Sequence, residues 1–295
     1  SGGGVYARSM TISDSTFSGN NATSGGGAWI EGEALIVNST FAGNYAVSGS
    51  GVYFPPGARG QTSMRSITIA GNTGGAALES TSSGAVIVLA NTLLAQNPGG
   101  NCLALTLLST GSNLSSDQTC GSLASPGDLQ GVNPQIDLLA DNGGAVLTVA
   151  LLPGSPAIDA GGVSLLPVDT LDRDGDGIIA EPIPFDTRGI DGAIRYERVR
   201  GSAPDIGAYE FVPPAAETPM PTFTPITPTA TNRIIIIVVT PTHTRTATVT
   251  PSPTVSGTPP TATPSATASP TTSGTPATET PTATATITNT TVPTE

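Results

Sequence analysis

The chain of 295 residues carries 36 Gly, 27 Pro and only 11% charged side chains, and its ten basic residues, all Arg, face 22 Asp plus Glu for a net charge of −12. A field of that sign repels phosphate backbones and anionic lipid, which excludes nucleic acid and acidic membrane surfaces as partners and favours cations. The bias is local: residues 1–212 hold most of the apolar and acidic side chains, and from Pro213 onward the chain is mostly Thr, Pro, Ala and Ser.

Residues 1–100 repeat. The segments FSGN (17–20), FAGN (41–44), IAGN (69–72) and LAQN (94–97) close on Asn20, Asn44, Asn72 and Asn97, at spacings of 24, 28 and 25 residues. That period is too short for a propeller blade and holds no 3.6-residue pattern, but it fits one turn of a solenoid of short strands. Alignment gives three apolar columns: Tyr6, Trp29, Tyr53 and Leu78; Ile12, Ile36, Met64 and Leu89; Phe17, Phe41, Ile69 and Leu94. Equivalent positions of successive coils in a parallel β-helix stack about 4.8 Å apart, so each column is expected to be an apolar ladder in the bore. Two polar columns share the register, one of Asp14, Asn38, Ser66 and Asn91, the other of the four closing Asn. Stacked Asn side chains at a tight turn can bond one another and tolerate the left-handed conformation a corner needs. Glycines 2–4, 25–27, 49 with 51, and 74 with 75 relieve another corner, and FPPGARGQ (54–61) is expected to protrude as a loop.

The pattern STF-x-GN followed by GGG is similar to the repeats of bacterial right-handed parallel β-helix surface proteins, polymorphic outer-membrane-protein repeats among them. The resemblance implies an all-β, right-handed solenoid, a hand that agrees with the general preference of parallel crossovers.

Cys102 and Cys120, 18 residues apart, are the only cysteines. A disulfide closing a last coil over 101–125 is expected, implying an oxidising, extracytoplasmic setting and roughly 3 kcal/mol of loop-closure stabilisation; two buried free thiols are the alternative. The chain begins at Ser1 in mid-repeat and reads as a fragment whose export signal, if any, lies upstream.

Residues 126–212 contain NPQIDLLADNGG (133–144), LLPGSPAIDAG (151–161), DTRG (186–189) and DIGAYE (205–210). This order resembles the choice-of-anchor Q domain, which in that family follows a β-helix and precedes a sorting or anchoring signal. Thr187 stands where the family more often has Gln, and the DRDGDG insertion is outside its pattern. The open end of a solenoid exposes sheet edges and bore, so Leu138, Leu151, Ile158, Ile206 and Tyr209 are expected to plug it, with Arg188 pinning the cap to Asp159 or Asp205.

Asp172, Asp174 and Asp176 alternate before Gly177, the spacing with which calcium loops wrap a hard cation in oxygen. An EF-hand needs Glu at the twelfth position, where Ile183 stands; Glu181 at the tenth, or Asp186, would close the shell instead. A solvated acidic loop is the alternative to calcium.

Residues 213–295 carry no apolar face that could offset ordering entropy and are expected to form a disordered stalk, extended to a reach on the order of 250 Å. The run IIIIVV (234–239) is too short to cross a bilayer, which needs about 20 residues, and His243 is an accident of composition.

Two function classes follow. The first is a non-enzymatic, secreted or cell-surface adhesion protein, monomeric, presented on the stalk and meeting carbohydrate or another surface component. The second is a polysaccharide lyase or glycoside hydrolase of the pectinase-like β-helix class, with its site mainly in upstream coils, because that fold also carries such enzymes. Within these coils Glu31 and Glu33, expected on one strand face, are the best carboxylate pair, and no catalytic residue is assigned.

Overall fold

The computed structural model describes residues 2–121 and 123–213; the Thr/Pro-rich segment from 214 on, with the IIIIVV run and His243, lies outside the described residues. Short strands wind residues 5–130 into a parallel β-solenoid of five stacked coils. The first sheet stacks Val5–Ala7, Ala28–Ile30, Val52–Phe54, Leu78–Ser80 and Cys102–Leu103. The second stacks Met10–Ser13, Ala34–Val37, Arg59–Arg65, Gly84–Ala90 and Thr106–Gly111. A third runs from Thr16–Ser18 through Thr40–Ala42, Thr68–Ala70, Leu93–Ala95 and Leu114–Ser115 to Leu129–Gln130. A short fourth joins Asn21–Ser24, Tyr45–Ser48 and Thr73–Gly74.

Two of the three apolar columns are rungs of the bore. Phe17 pairs with Phe41, Phe41 with Ile69 and Ile69 with Leu94, and Ile12, Ile36, Met64 and Leu89 align likewise. The Phe17 and Phe41 rings stack 4.9 Å apart and 8° from parallel, and from the second coil on both columns are fully buried. Each such side chain contributes about 1.5–3 kcal/mol through burial.

The aromatic column is a correction. Tyr6, Trp29 and Tyr53 are in register, but Tyr53 pairs with Glu79, and Leu78 pairs with Val52. In these three-residue strands the outer two side chains point inward and the middle one outward, as strand alternation requires. The inner rung is therefore Val5, Ala28, Val52, Leu78 and Cys102, and the aromatic rings lie on the outside, with Tyr6 52% exposed.

The Gly-Asn ending splits two tasks between its residues. Gly19, Gly43 and Gly71 hold φ of +66°, +65° and +64°, with open space where a Cβ would sit, so the dihedral alone selects glycine; Gln96 takes the same role at φ +55° for about 1 kcal/mol. The following Asn forms the ladder. Asn44 Oδ1 accepts from Asn20 N and Nδ2 at 3.1 and 2.9 Å, Asn72 Oδ1 from the same atoms of Asn44 at 3.0 and 2.9 Å, and Asn97 Oδ1 from those of Asn72 at 2.9 and 3.1 Å. Their amides also donate to the carbonyls of Phe17, Phe41 and Ile69. The left-handed conformation belongs to the other polar column, where Asp14, Asn38, Ser66 and Asn91 have φ between 48° and 55°. At the glycine corner the coils approach so closely that a Cβ on Gly26 would lie 2.3 Å from the Ser50 carbonyl oxygen. The 54–61 insertion protrudes only in part: Pro55–Ala58 turn, and the rest lengthens the second sheet, with Gln61 opposite Val86.

Cys102 and Cys120 form a disulfide, and this loop, not the terminal module, closes the bore. Cys120 and Leu123 are buried in one cluster with Ile87, Leu89 and Leu94. Residues 126–213 lie instead along the outer side of the third sheet, where Ile136, Val149, Leu151, Ala157 and Ile206 cover a strip of Ala42, Ala70, Leu93 and Ala95. Small residues facing outward leave that strip flat and apolar, and covering it removes it from water. Leu138, expected in the plug, is 75% exposed. Polar contacts tie the module to successive coils: Thr16 Oγ1 donates to Leu147 O, Asn38 Nδ2 to Phe185 O, Ala208 N to Thr68 Oγ1 and Gly207 N to Asn91 O. The module contributes two antiparallel pairs, Ile136–Ala140 with Thr148–Leu151 and Phe185–Asp191 with Ile194–Glu197.

Candidate functional site

The acidic loop is pinched at its base by the Val168–Pro182 bridge and by Asp169 N donating to Glu181 O. Positive φ at Asp172, Gly175 and Gly177 turns it so that Asp172 Oδ1 accepts from Gly177 N at 3.1 Å and Asp176 Oδ1 from Ile178 N at 2.7 Å. The carboxylates of Asp172, Asp174 and Asp176 come within 4.8 Å of one another, and so do those of Asp169, Asp174 and Glu181. Asp174 thus links the expected ligands Asp172, Asp176 and Glu181, and these groups could hold a metal ion. Burial first, then the facing carboxylates of Asp176 and Asp174, pushes Glu181 above the usual range, a conflict a hard cation would relieve.

Asp169 escaped the sequence reading because it lies outside the alternating run, and its only signal is an acid three residues before Asp172. Although burial opposes its charge, the backbone N–H groups of Arg173 and Leu171 and the Arg173 guanidinium hold it below the usual range. Arg173 also reaches Asp14 Oδ2 at 2.8 Å, so the loop is fastened to the corner of the first coil. Asp186, the alternative closing ligand, is engaged elsewhere: it pairs with Arg188. That is also the correction for Arg188, whose partner is neither Asp159 nor Asp205. Its guanidinium lies between the rings of Tyr196 and Tyr209, 4.2 and 3.9 Å from their centroids, and donates to Glu210 O at 2.7 Å. Asp205 instead receives Asp159 N and Phe211 N, beside a buried Glu210 pushed up to about 8 by desolvation.

On the outer face of the first sheet Tyr6, Trp29 and Tyr53 stand in a row, with ring centroids 6.2 and 5.1 Å apart. Tyr6 donates to Glu31 Oε1 at 2.6 Å, and Arg8 Nε lies 3.3 Å from Glu31 Oε2. Glu31 and Glu33 do not share a strand; both sit in the turn between Ala28–Ile30 and Ala34–Val37. The Tyr6 hydroxyl holds the Glu31 carboxyl below its usual range and raises its own pKa in return, the opposite of the upward shift that suits a general acid. Beyond the row, Tyr53 Oη meets Thr81 Oγ1 at 2.8 Å, where an open cleft of about 470 Å³ lies between Pro56–Arg59 and Thr81–Gly84.

Among the described residues no helix is long and apolar enough to cross a membrane. Comparison with family models, with curated proteins and with solved structures gives no match to this chain. What the fold and these sites define is a parallel β-solenoid with a flanking module, an acidic loop and one aromatic-bearing face.

Proposed function

We propose that the protein is a secreted or cell-surface, non-enzymatic adhesion module: a stiff solenoid, carried on the Thr/Pro-rich segment as a spacer, that meets surface components. The observation that carries this reading is the division of the solenoid's faces. The terminal module covers the third sheet, and the first sheet keeps an outward row of Tyr6, Trp29 and Tyr53. Exposed aromatic side chains on a rigid scaffold are a binding device. The disulfide supports an extracytoplasmic location, and the motif resemblances to surface β-helix repeats and to the choice-of-anchor Q domain point the same way. Calcium is the proposed cation of the acidic loop, because oxygen-only ligands on a flexible loop suit that ion. The test pairs adhesion of the purified full chain to bacterial and host cell surfaces with a polysaccharide screen for unsaturated or reducing-end products. Adhesion without turnover is expected; catalytic turnover of any polysaccharide overturns the reading in favour of the lyase or hydrolase class.

A further inference from the structure

We propose that the row on the first sheet is a binding site for a neutral glycan chain, lying across the coils from Tyr6 toward the Pro56–Gly84 cleft. The proposal rests on the adhesion reading and names its ligand.

Four features of the surface select that chemistry. The first is a ring platform: Tyr6 and Trp29 are tilted by only 35°, and Tyr53, edge-on at 61° and buried, supports the indole from the next coil. The apolar C–H face of a pyranose packs on such rings while its hydroxyls stay at the rim. The second is spacing, since one side chain per coil recurs at roughly the 4.8 Å strand separation, comparable to the length of one sugar unit, so a linear glycan advances about one residue per coil. The third is a rim of fixed hydrogen-bonding groups. Glu31, already holding the Tyr6 hydroxyl and Arg8, is a carboxylate with acceptor sites left for sugar hydroxyls. Glu33 packs on Gly60, where an added Cβ would meet its Cγ at 2.5 Å, and so stands beside the turn that walls the cleft. Arg59, Thr81 and Ser82 line that cleft, and the Tyr53–Thr81 contact makes it continuous with the row. The fourth is charge. A molecule of net charge −12 with carboxylates along the row disfavours uronic-acid, sulfated or phosphorylated chains, which leaves neutral sugars.

Trp29 is the only tryptophan of the chain, so intrinsic fluorescence reads this site directly. The full chain is titrated with cellohexaose, maltohexaose, mannohexaose and xylohexaose, with hexagalacturonate as the acidic probe. At least one neutral hexasaccharide is expected to give a saturable change in emission, with hexagalacturonate silent. Tyr6→Ala, at an exposed position that leaves the bore intact, weakens binding at least tenfold; Glu31→Gln weakens it severalfold while preserving the melting temperature. The proposal is overturned by the absence of a saturable response to all four neutral sugars, by unchanged affinity in Tyr6→Ala, or by tighter binding of hexagalacturonate. Cell-surface adhesion of the same variants separates the two levels: adhesion undiminished in Tyr6→Ala leaves the adhesion reading standing and removes this site from it.

Discussion

Replacing Asn72 by Ala tests the ladder on which the coil register depends. Asn72 is fully buried; its side chain accepts from Asn44 N and Nδ2 and donates to Asn97 Oδ1 and Phe41 O, at 2.9 to 3.1 Å. Asn44 Nδ2 keeps the Phe17 carbonyl, and Asn97 Oδ1 keeps Asn72 N, so the main orphan is the buried Asn44 N–H. An unsatisfied buried donor costs about 1–3 kcal/mol, and the emptied amide volume and lost donations bring the expected loss to about 3 kcal/mol. Asn20→Ala is the control: at the end of the ladder and half-exposed, it loses one side-chain donation to Asn44 Oδ1 and is expected to cost under about 1 kcal/mol. Urea unfolding of both variants, followed by far-ultraviolet circular dichroism and Trp29 emission, gives the difference. Equal losses in the two, or an Asn72→Ala loss below about 1 kcal/mol, would refute the claim that the stacked amides hold the coils in register.

Millimolar calcium is expected to raise the melting temperature, by about 1.4 kcal/mol of stabilisation at ten times the dissociation constant. Asp174→Ala, which removes the carboxylate common to both groups, should abolish that shift, and a wild-type protein indifferent to calcium sinks the metal assignment. Cys102→Ser with Cys120→Ser opens the loop of sequence separation 18 and should lower stability by about 3 kcal/mol in non-reducing denaturant titrations; a loss near zero contradicts the role of this loop at the end of the bore. Glu210 has a folded pKa raised from 4.5 to about 8 by burial, so the folded state holds its proton more tightly than the unfolded chain. Its contribution is complete below pH 4.5 and is lost as pH rises toward 8. Glu210→Gln should flatten that part of the stability profile, and an unchanged slope in thermal melts across this window tells against a buried neutral carboxyl.

The solenoid was legible because its signal is repeated: Phe17, Phe41, Ile69 and Leu94 recur on a period that helices and propellers do not share, and one correct alignment fixes many contacts at once. The aromatic column failed for a local reason. Matching bulky residues placed Leu78 after Tyr53, whereas strand alternation places Glu79 there and turns the rings outward. Covalent closure at Cys102 and Cys120 could be read, but its mechanical place at the bore could not, because no pattern says which face Leu123 meets. The flanking module defeats sequence reading more thoroughly. Its contacts, such as Thr16 with Leu147 and Asn38 with Phe185, join residues more than a hundred positions apart, with no periodicity to reveal them. In the acidic loop the alternating Asp residues are a spacing signal, and Asp169 is not, since only folding of the loop base brings it to Asp174.

The flanking module changes how a pull on the chain is distributed. Gly207 and Ala208 are fastened to Asn91 and Thr68 in the middle of the stack, and Arg173 grips Asp14 at its far end. Tension arriving at Val212 therefore enters interior coils as shear across many bonds together, where an unstrapped solenoid would unpeel from its last coil one rung at a time.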